Sequence, residues 1–446
     1  MKKFIVILLA FALVFSGTFI SGVEIEASAA PKEFSQTPAE FVKRIGAGWN
    51  LGNTLDSYVS GTPSVYEQET GWNNPYTQQG MIAKVAQSGF NAVRIPVSWG
   101  PQTAYSNGKY TINESWLKRV KQIVDWCYQY DMYVIVNMHH DDGNWLDIGA
   151  ITDDQWASIL EQYGQMWQQI ATYFKDYDEH LILEGANELT ASSYFCGCGS
   201  DPTNNCWWGH NTDLFYRQYE LYDIFVSTVR GTGSNNAYRY LMLPTYGAQW
   251  YEHQIQNLAL PEDERLIVDI HWYDHATQIN SAKRKTYADM WANYSRIRGY
   301  GIVIGECGFT EATSDSYKAS WANSFVADVR KNYGIPVFLW DDGGSMKILN
   351  RNVIPYAWTS NSTLYVNAVV SVSAPYIVEP PKIIYGDVNL DNEFGMSDLL
   401  LFKKYLFKAP GYIKELPEEA DVNCDGKYDL KDLLLMTKVQ ARKASF

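Results

Sequence analysis

The chain has 446 residues, with 36 Lys and Arg against 50 Asp and Glu, so its formal net charge is −14. This length suits one large domain with a small one beside it. The acidic balance argues against a basic face that would bind phosphate backbones, so we expect no nucleic-acid partner.

The N-terminal segment has the features of a secretory signal. Lys2 and Lys3 precede an apolar run over residues 4–14, and Ala27-Ser28-Ala29 fits the small-x-small cleavage pattern. We expect a signal peptide over residues 1–29 and a secreted, extracellular protein. The alternative is an uncleaved membrane anchor. No other run is long and apolar enough to span a bilayer, so we expect no membrane span after cleavage.

Eight short apolar runs alternate with amphipathic segments along most of the chain. In order they read AGWNLGN, NAVRIPV, MYVIVNMHH, LILEGANE, YLMLPTYG, LIVDIHWY, GIVIGECG and IPVFLWDDG. Apolar strands that alternate with helices indicate a parallel sheet covered on both faces. Eight such units predict an α/β fold, a (β/α)8 TIM barrel. The alternative, a doubly wound open sheet, normally has fewer strands, and the chain has no glycine-rich phosphate loop.

Each predicted strand ends in polar or aromatic residues. In a barrel these ends converge on one mouth, where active sites lie. The candidate site residues are Asn50, Arg94, His139, His140, Asn187, Glu188, His271, Tyr273, Glu306 and Trp340.

Glu188 and Glu306 are the strongest candidates for chemistry. They end the fourth and seventh predicted strands, which face each other across a barrel. Two facing carboxylates near aromatic rings suggest glycoside hydrolysis, in which one protonates the leaving oxygen and the other attacks the sugar or activates water. Arg94 would keep one of them ionised. The alternative is a structural ion-pair network.

The adjacent histidines His139 and His140 also raise the question of a metal site. Neighbouring residues of a strand point to opposite faces, so we expect them not to ligate one ion together. We therefore predict that they contact substrate.

Seven motifs resemble glycoside hydrolase family 5 of clan A. They are GWNLGNTLD, NAVRIPVSW, VNMHHD, GANEL, VDIHWYDH, VIGECG and FLWDDG, and they occur in order over residues 35–372. GWNLGNTLD and ETGWNNP are most similar to subfamily 4, which contains endoglucanases and xyloglucan-active enzymes. The resemblance implies a catalytic barrel that needs no cofactor.

The resemblance also implies a retaining double displacement and a role for each residue. Glu188 would be the acid/base and Glu306 the nucleophile. Asn187 would hold the 2-hydroxyl of the cleaved sugar, Tyr273 and Arg94 would position Glu306, and His271 would support Glu188. His139 and Trp340 would line the subsite of that sugar, and Asn50 and His140 would also bind substrate.

A cysteine-rich insertion after the fourth strand departs from the family pattern. In an exported protein, Cys206 would pair with Cys196 or Cys198. The alternative is a zinc site that includes His210. Trp207 and Trp208, which follow, are either a sugar platform or part of a stapled loop.

The tail contains a duplicated calcium loop. Residues 373–384 are predicted to be a linker, and residues 385–442 contain DVNLDNEFGMSD and DVNCDGKYDLKD. Both have oxygen ligands at positions 1, 3, 5 and 12 of the loop. They are Asp387, Asn389, Asp391 and Asp398 in the first loop, and Asp421, Asn423, Asp425 and Asp432 in the second.

Two features depart from a complete EF-hand. Position 12 is Asp instead of Glu, and Pro380 and Pro381 prevent a regular helix before the first loop. Duplicated loops of this kind resemble a type I dockerin, which implies a small all-α module with two structural Ca2+ ions and a cohesin-bearing scaffold as partner.

Together these features predict a secreted retaining endo-β-1,4-glucanase, a cellulase attached to a cell-surface cellulosome. It would hydrolyse internal bonds of cellulose and related β-glucans. The alternatives are a family 5 hydrolase specific for xyloglucan, lichenan or mannan, and a non-catalytic glycan-binding barrel.

Overall fold

A computed structural model provides the coordinates. It describes residues 34–149, 152–191, 212–273, 281–373, 386–389, 394–409, 416–417, 420–423 and 427–441. The predicted signal peptide, the cysteine-rich insertion with Trp207, Trp208 and His210, and residues 374–384 of the predicted linker lie outside the described residues. The predictions about them stay predictions.

The described residues contain twelve β-strands. They are β1 (Ala47–Asn50), β2 (Ala92–Ile95), β3 (Thr103–Ser106), β4 (Lys109–Ile112), β5 (Tyr133–Asn137), β6 (Leu181–Glu184), β7 (Leu241–Pro244), β8 (Leu266–Trp272), β9 (Gly301–Cys307), β10 (Val337–Leu339), β11 (Leu349–Asn350) and β12 (Ala357–Trp358). Eight of these form a closed parallel barrel in the order β1-β10-β9-β8-β7-β6-β5-β2. The predicted barrel and its eight strands are confirmed.

The same residues contain twelve α-helices. They are α1 (Pro38–Phe41), α2 (Val65–Glu69), α3 (Gln79–Gln87), α4 (Glu114–Tyr128), α5 (Asp153–Phe174), α6 (Thr212–Gly231), α7 (Glu252–Asn257), α8 (Ser281–Arg298), α9 (Asp315–Trp321), α10 (Thr363–Ser373), α11 (Met396–Leu406) and α12 (Leu430–Gln440). None of the helices in the described ranges has both the length and the apolar character needed to cross a membrane.

The strands are buried on both faces because the barrel has two apolar layers. Alternate residues along each strand face opposite sides. One set packs outward against the helices and forms the large core. The other set fills the barrel interior at its N-terminal end and includes Ile135, Ile182, Ile267, Val303 and Phe338. The C-terminal end of the interior is thereby left for polar side chains.

The tail has a small core of its own. Leu399 and Phe402 of α11 and Leu433 and Met436 of α12 are buried together, with Val388, Ala420 and Val422. The two helices follow the two predicted calcium loops, which confirms the repeat as two loop–helix units.

Candidate active site

The inward-facing rows of the barrel change from apolar to polar toward the C-terminal ends of the strands. Two residues beyond the apolar Ala92, Ile135, Ile182 and Ile267 come Arg94, Asn137, Glu184 and Asp269, respectively. All four polar side chains are fully buried. A period of two keeps each row on one face, so the strand pattern itself builds a polar layer beneath the mouth.

Arg94 connects the predicted site residues. Its Nε and Nη2 donate to the two oxygens of Glu184 over 2.7 and 2.8 Å. Its Nη1 donates to Glu306 Oε1 over 2.7 Å. The remaining bonds go to Asn50 Oδ1 (3.1 Å) and Asn187 Oδ1 (2.9 Å). A planar guanidinium with five donors matches this fan of acceptors, and a lysine would not.

Glu306 is held by two further groups. The Tyr273 hydroxyl donates to its Oε2 over 2.7 Å, and His271 Nδ1 lies 3.5 Å from the same oxygen. The same His271 nitrogen is 2.8 Å from Glu188 Oε1. One oxygen of Glu188, one of Glu306 and one nitrogen of His271 all lie within 4.8 Å of one another. The structure therefore brings the two predicted carboxylates together around one imidazole.

The charges of this cluster are coupled. Burial opposes the charging of His271, but the carboxylates of Glu306 and Asp269 outweigh it and raise its pKa well above the usual range. Burial raises the pKa of Glu306, and the charge of Glu188 adds to this, although His271 and Arg94 oppose it. Burial would raise the pKa of Glu188 as well, but the hydrogen bond with His271 outweighs burial and lowers that pKa. In the uncomplexed site, the proton shared by Glu188 and His271 therefore lies toward His271.

His139 and Trp340 form one wall of the mouth. Their rings are parallel within 6°, with centroids 5.7 Å apart. Asn137 accepts a hydrogen bond from the Val97 N–H through Oδ1, so its Nδ2 faces His139 Nδ1 at 3.0 Å. This arrangement leaves the ring proton of neutral His139 on Nε2, where it can donate to a ligand.

The prediction that His139 and His140 point to opposite faces is wrong. Strand β5 ends at Asn137, so strand alternation no longer applies to the histidines. Nitrogens of both rings and an Asp56 oxygen lie within 4.8 Å of one another. Metal binding is nevertheless disfavoured, because His139 Nδ1 faces the Asn137 amide and its Nε2 carries the ring proton. His140 also packs against Trp72, with ring centroids 5.0 Å apart.

The buried carboxylates of the site that were not among the sequence candidates include Glu184, Asp269 and Asp341. Glu184 is the paired partner of Arg94, and Asp269 lies 3.1 Å from His271 Nε2. Asp341, beside Trp340, accepts from Trp49 Nε1 over 3.1 Å. Glu184 and Asp269 follow the two-residue spacing of inward-facing positions, which is the sequence signal that would have found them.

The described calcium-loop residues converge at the start of each helix. Asp398 Oδ1 accepts from the N–H groups of Val388 and Asn389 over 2.8 and 3.1 Å. In the second loop, Asp432 Oδ1 accepts from the Asn423 N–H over 3.3 Å. Asp387 and Asp421 are buried beside them. Asp391 and Asp425 lie outside the described residues. The donor set is carboxylate and amide oxygen, which fits Ca2+.

A TIM barrel with paired carboxylates in its mouth defines the class of carbohydrate-cleaving barrels. Residues 55–345 match the model of cellulase, described as glycosyl hydrolase family 5. The chain belongs to glycosyl hydrolase family 5. Residues 385–439 match the dockerin type I domain, so the tail is a dockerin.

Individual relatives agree with the family. Endoglucanase A of Clostridium longisporum is 32% identical over 369 residues, which cover 77% of this chain and 67% of the relative. Endoglucanase A of Paenibacillus barcinonensis is 33% identical over 388 residues, 77% of this chain and 91% of the relative. The solved structure of a GH5-4 broad specificity endoglucanase from Ruminococcus champanellensis, with bound cellotriose, aligns with a TM-score of 0.66. The two chains are 32% identical, and the alignment covers 75% of this chain and 98% of the chain in the solved structure.

Proposed function

We propose that the protein is a retaining endo-β-1,4-glucanase that cleaves cellulose and related β-glucans. The observation that carries this proposal is the approach of Glu188 and Glu306 to within 4.8 Å, oxygen to oxygen, around His271. Carboxyl groups about 5–5.5 Å apart are typical of retaining enzymes, because inverting enzymes need room for a water between them.

Glu306 is the proposed nucleophile. Arg94 and Tyr273 donate to its two oxygens, which orients the carboxylate and stabilises its charge. Glu306 attacks the anomeric carbon while Glu188 protonates the leaving oxygen. Glu188 then takes a proton from the water that hydrolyses the glycosyl-enzyme.

The neighbouring groups are proposed to hold the sugar. Asn187 uses its carbonyl oxygen to accept from Arg94, so its amide nitrogen remains to donate to the 2-hydroxyl. A hydrogen bond there strengthens as positive charge develops in the transition state. His139, His140 and Trp340 offer aromatic faces and a ring N–H to the sugar, and Asn50 holds Arg94 in place.

The nucleophile assignment is tested by the Glu306→Ala variant. Hydrolysis should be lost, and added azide should restore turnover of an activated glycoside with an inverted glycosyl azide as product. Wild-type hydrolysis followed by NMR should first release the sugar with retained configuration. An inverted wild-type product would overturn the double displacement.

Substrate preference is tested with a panel of soluble polysaccharides. Because the relatives include a broad specificity endoglucanase, we propose activity on carboxymethylcellulose, lichenan and xyloglucan above that on mannan. A failure to release reducing sugar from any β-glucan would favour a non-catalytic glycan-binding barrel.

The tail is proposed to attach the enzyme to a scaffold. A dockerin implies a cohesin-bearing partner, and we propose two Ca2+ ions, held by Asp387, Asn389, Asp391 and Asp398 and by Asp421, Asn423, Asp425 and Asp432. We also propose that residues 1–29 direct secretion, so that the enzyme acts outside the cell in a cellulosome. Calcium-dependent capture on an immobilised type I cohesin tests the attachment.

A further inference from the structure

The mechanism proposed above gives no role to the carboxylate of Asp269, which lies beneath the site. Asp269 is fully buried on β8, two residues before His271 and on the same face. Its Oδ1 accepts from the Gly305 N–H over 2.8 Å, and its Oδ2 lies 3.1 Å from His271 Nε2. In the described part of the chain, His271 is its cationic partner. Burying a carboxylate is costly unless it is paired and hydrogen-bonded.

A β-bulge makes room for this carboxylate. Ile270 pairs with Ile304, but His271 pairs with Glu306, so Gly305 is an extra residue on β9. The side chain of Asp269 accepts a hydrogen bond from the Gly305 N–H, and Asn50 Nδ2 donates to the Gly305 carbonyl over 2.9 Å.

Only glycine fits at this position of the bulge. A Cβ added at Gly305 would lie 2.3 Å from Asp269 Oδ1. The bulge thus anchors Asp269 directly beside the backbone that leads into Glu306, with its second oxygen left for His271.

The position of Asp269 determines which proton of His271 is exchangeable. An ionised carboxylate only accepts hydrogen bonds, so His271 Nε2 carries a proton whether the ring is neutral or charged. The exchangeable proton is therefore on Nδ1, which lies 2.8 Å from Glu188 Oε1.

We propose that Asp269 is a positioning residue that keeps a proton on His271 for transfer to the acid/base Glu188. The proposal rests on the proposed function of Glu188. In the first half-reaction, the Nδ1 proton moves to Glu188, and Glu188 gives a proton to the leaving oxygen. In the second half-reaction, Glu188 takes a proton from the attacking water and returns one to Nδ1. The ring alternates between charged and neutral, and Asp269 accepts from its Nε2 in both states.

The charged and titratable groups around His271 come from five strands and their extensions. They include Arg94 from β2, His139 and His140 after β5, Glu184 in β6 and Glu188 after it, Asp269 in β8 and Tyr273 after it, and Glu306 in β9. Arg94 is already bonded to Glu184 and Glu306. Asp269 forms an ion pair with His271, although its charge also acts on Arg94. Its removal should therefore make the ring less basic.

The Asp269→Asn variant tests this proposal. The Gly305 N–H is fixed in the bulge, so the amide oxygen should face it and the amide NH2 should face His271 Nε2. That nitrogen must then accept, which leaves a neutral ring with its proton on Nδ1. The basic limb of kcat/KM against pH should move to lower pH by about one unit or more. Turnover of an aryl glycoside with a poor leaving group should fall at least about tenfold, and that of a good leaving group should fall much less.

A matched control separates this effect from general damage. Tyr163→Phe removes another buried hydrogen bond to a barrel strand end, that of the Tyr163 hydroxyl to the Gly185 carbonyl over 2.7 Å. This control should leave the basic limb in place. If Asp269→Asn leaves the basic limb unmoved and slows both leaving groups equally, Asp269 acts only through the backbone of Glu306 and the proposal is wrong.

A measurement on the wild-type enzyme covers the case in which the variant fails to fold. With 15N-labelled histidine, the His271 signals are identified by comparison with a His271→Gln variant. The Nε2 nitrogen should stay protonated across the pH range while Nδ1 titrates. Titration at Nε2 would overturn the proposal. If the wild-type enzyme hydrolysed no glucan at all, the proposed function would be refuted, whereas the NMR result on His271 would still stand.

Discussion

Arg94 is the residue on which the geometry of the site depends most. It is fully buried, and its five bonds reach four side chains from three other barrel strands and from the loop that follows β6. One guanidinium therefore fixes the relative positions of Glu306, the proposed nucleophile, and of Asn187, which is proposed to hold the 2-hydroxyl. Glu184 lies too early on its strand to act as the acid. It neutralises the charge of Arg94 from below and helps to hold the guanidinium in place.

The proposed role of Glu188 predicts a dependence on the leaving group. Glu188→Ala should slow substrates with basic leaving oxygens by about 10²-fold or more, because protonation matters most for them. Aryl glycosides with acidic phenols should be slowed much less in the first step. The check is kcat/KM across a series of phenol leaving groups. Equal losses along the series would remove Glu188 from the acid role.

At the scale of elements, local pattern predicts the strands well. The eight apolar runs became the eight barrel strands, and their polar ends became the mouth, because burial on both faces demands apolar runs and the barrel demands convergence. The histidine orientation could not be predicted the same way. It depends on β5 ending at Asn137, a boundary that no residue in VNMHHD marks.

The proposed role of Asp269 also could not be predicted from the local sequence pattern. The bulge at Gly305 is a property of the pairing between β8 and β9, and neither strand shows it alone. Asp269 looks like an isolated polar residue within an apolar run until the register places it beside Gly305. Likewise, the pairing of Glu184 with Arg94 depends on the strand order of the folded sheet, since β5 lies between their strands.

The surroundings of Asp178, just before β6, predict that this residue makes a pH-dependent contribution to the stability of the fold. Its Oδ1 accepts from the His180 N–H and from the Tyr128 hydroxyl, each over 3.0 Å, and so ties α4 to the strand. Burial alone would raise the pKa of Asp178, but the hydrogen bonds from His180 prevail and lower it to about 2. A lowered pKa means that ionised Asp178 stabilises the fold above its unfolded value of about 3.9, and that this contribution is lost as the pH falls toward 2.

Asp178→Asn should therefore lower the free energy of unfolding at pH 5 by about 0.5–1 kcal/mol, a range reduced because the side chain is half-exposed. The difference from wild type should shrink toward pH 2.5. Thermal unfolding at the two pH values measures this. Asp176→Asn, on the same loop but at an exposed position, is the control and should change little. A difference that grows as the pH falls would contradict the assignment.

At the scale of the whole molecule, the barrel and the dockerin differ in how they are stabilised. The barrel has a continuous core that spans strands and helices. The dockerin core contains seven buried hydrophobic residues in the described part of the tail. Segments this small usually need a metal or a disulfide to fold. We therefore expect the tail to depend on Ca2+ and the barrel not to.

Chelation of the full-length enzyme should separate the two units. EDTA should abolish a calcium-dependent unfolding transition and release the enzyme from cohesin, while hydrolysis of soluble glucan stays nearly unchanged. Calorimetry and a cohesin pull-down measure the first two effects, and reducing-sugar release measures the third. Loss of hydrolysis in EDTA would show that calcium also supports the barrel, and an unchanged tail transition would refute the metal dependence.

The two loops should bind calcium with different affinity. The second loop has Gly426 where the first has Asn392, and glycine takes the sharp turn at position 6 without strain. It also has Asp429 at position 9, where the first has Gly395. Asp429 caps the N-terminus of α12, and its Oδ1 accepts from the Lys431 N–H over 2.6 Å. Asp421→Ala should therefore cost more calcium affinity in the full-length protein than Asp387→Ala, as measured by titration calorimetry. The reverse order would mean that the carboxylate at position 9 and the glycine at position 6 do not determine which loop binds more tightly.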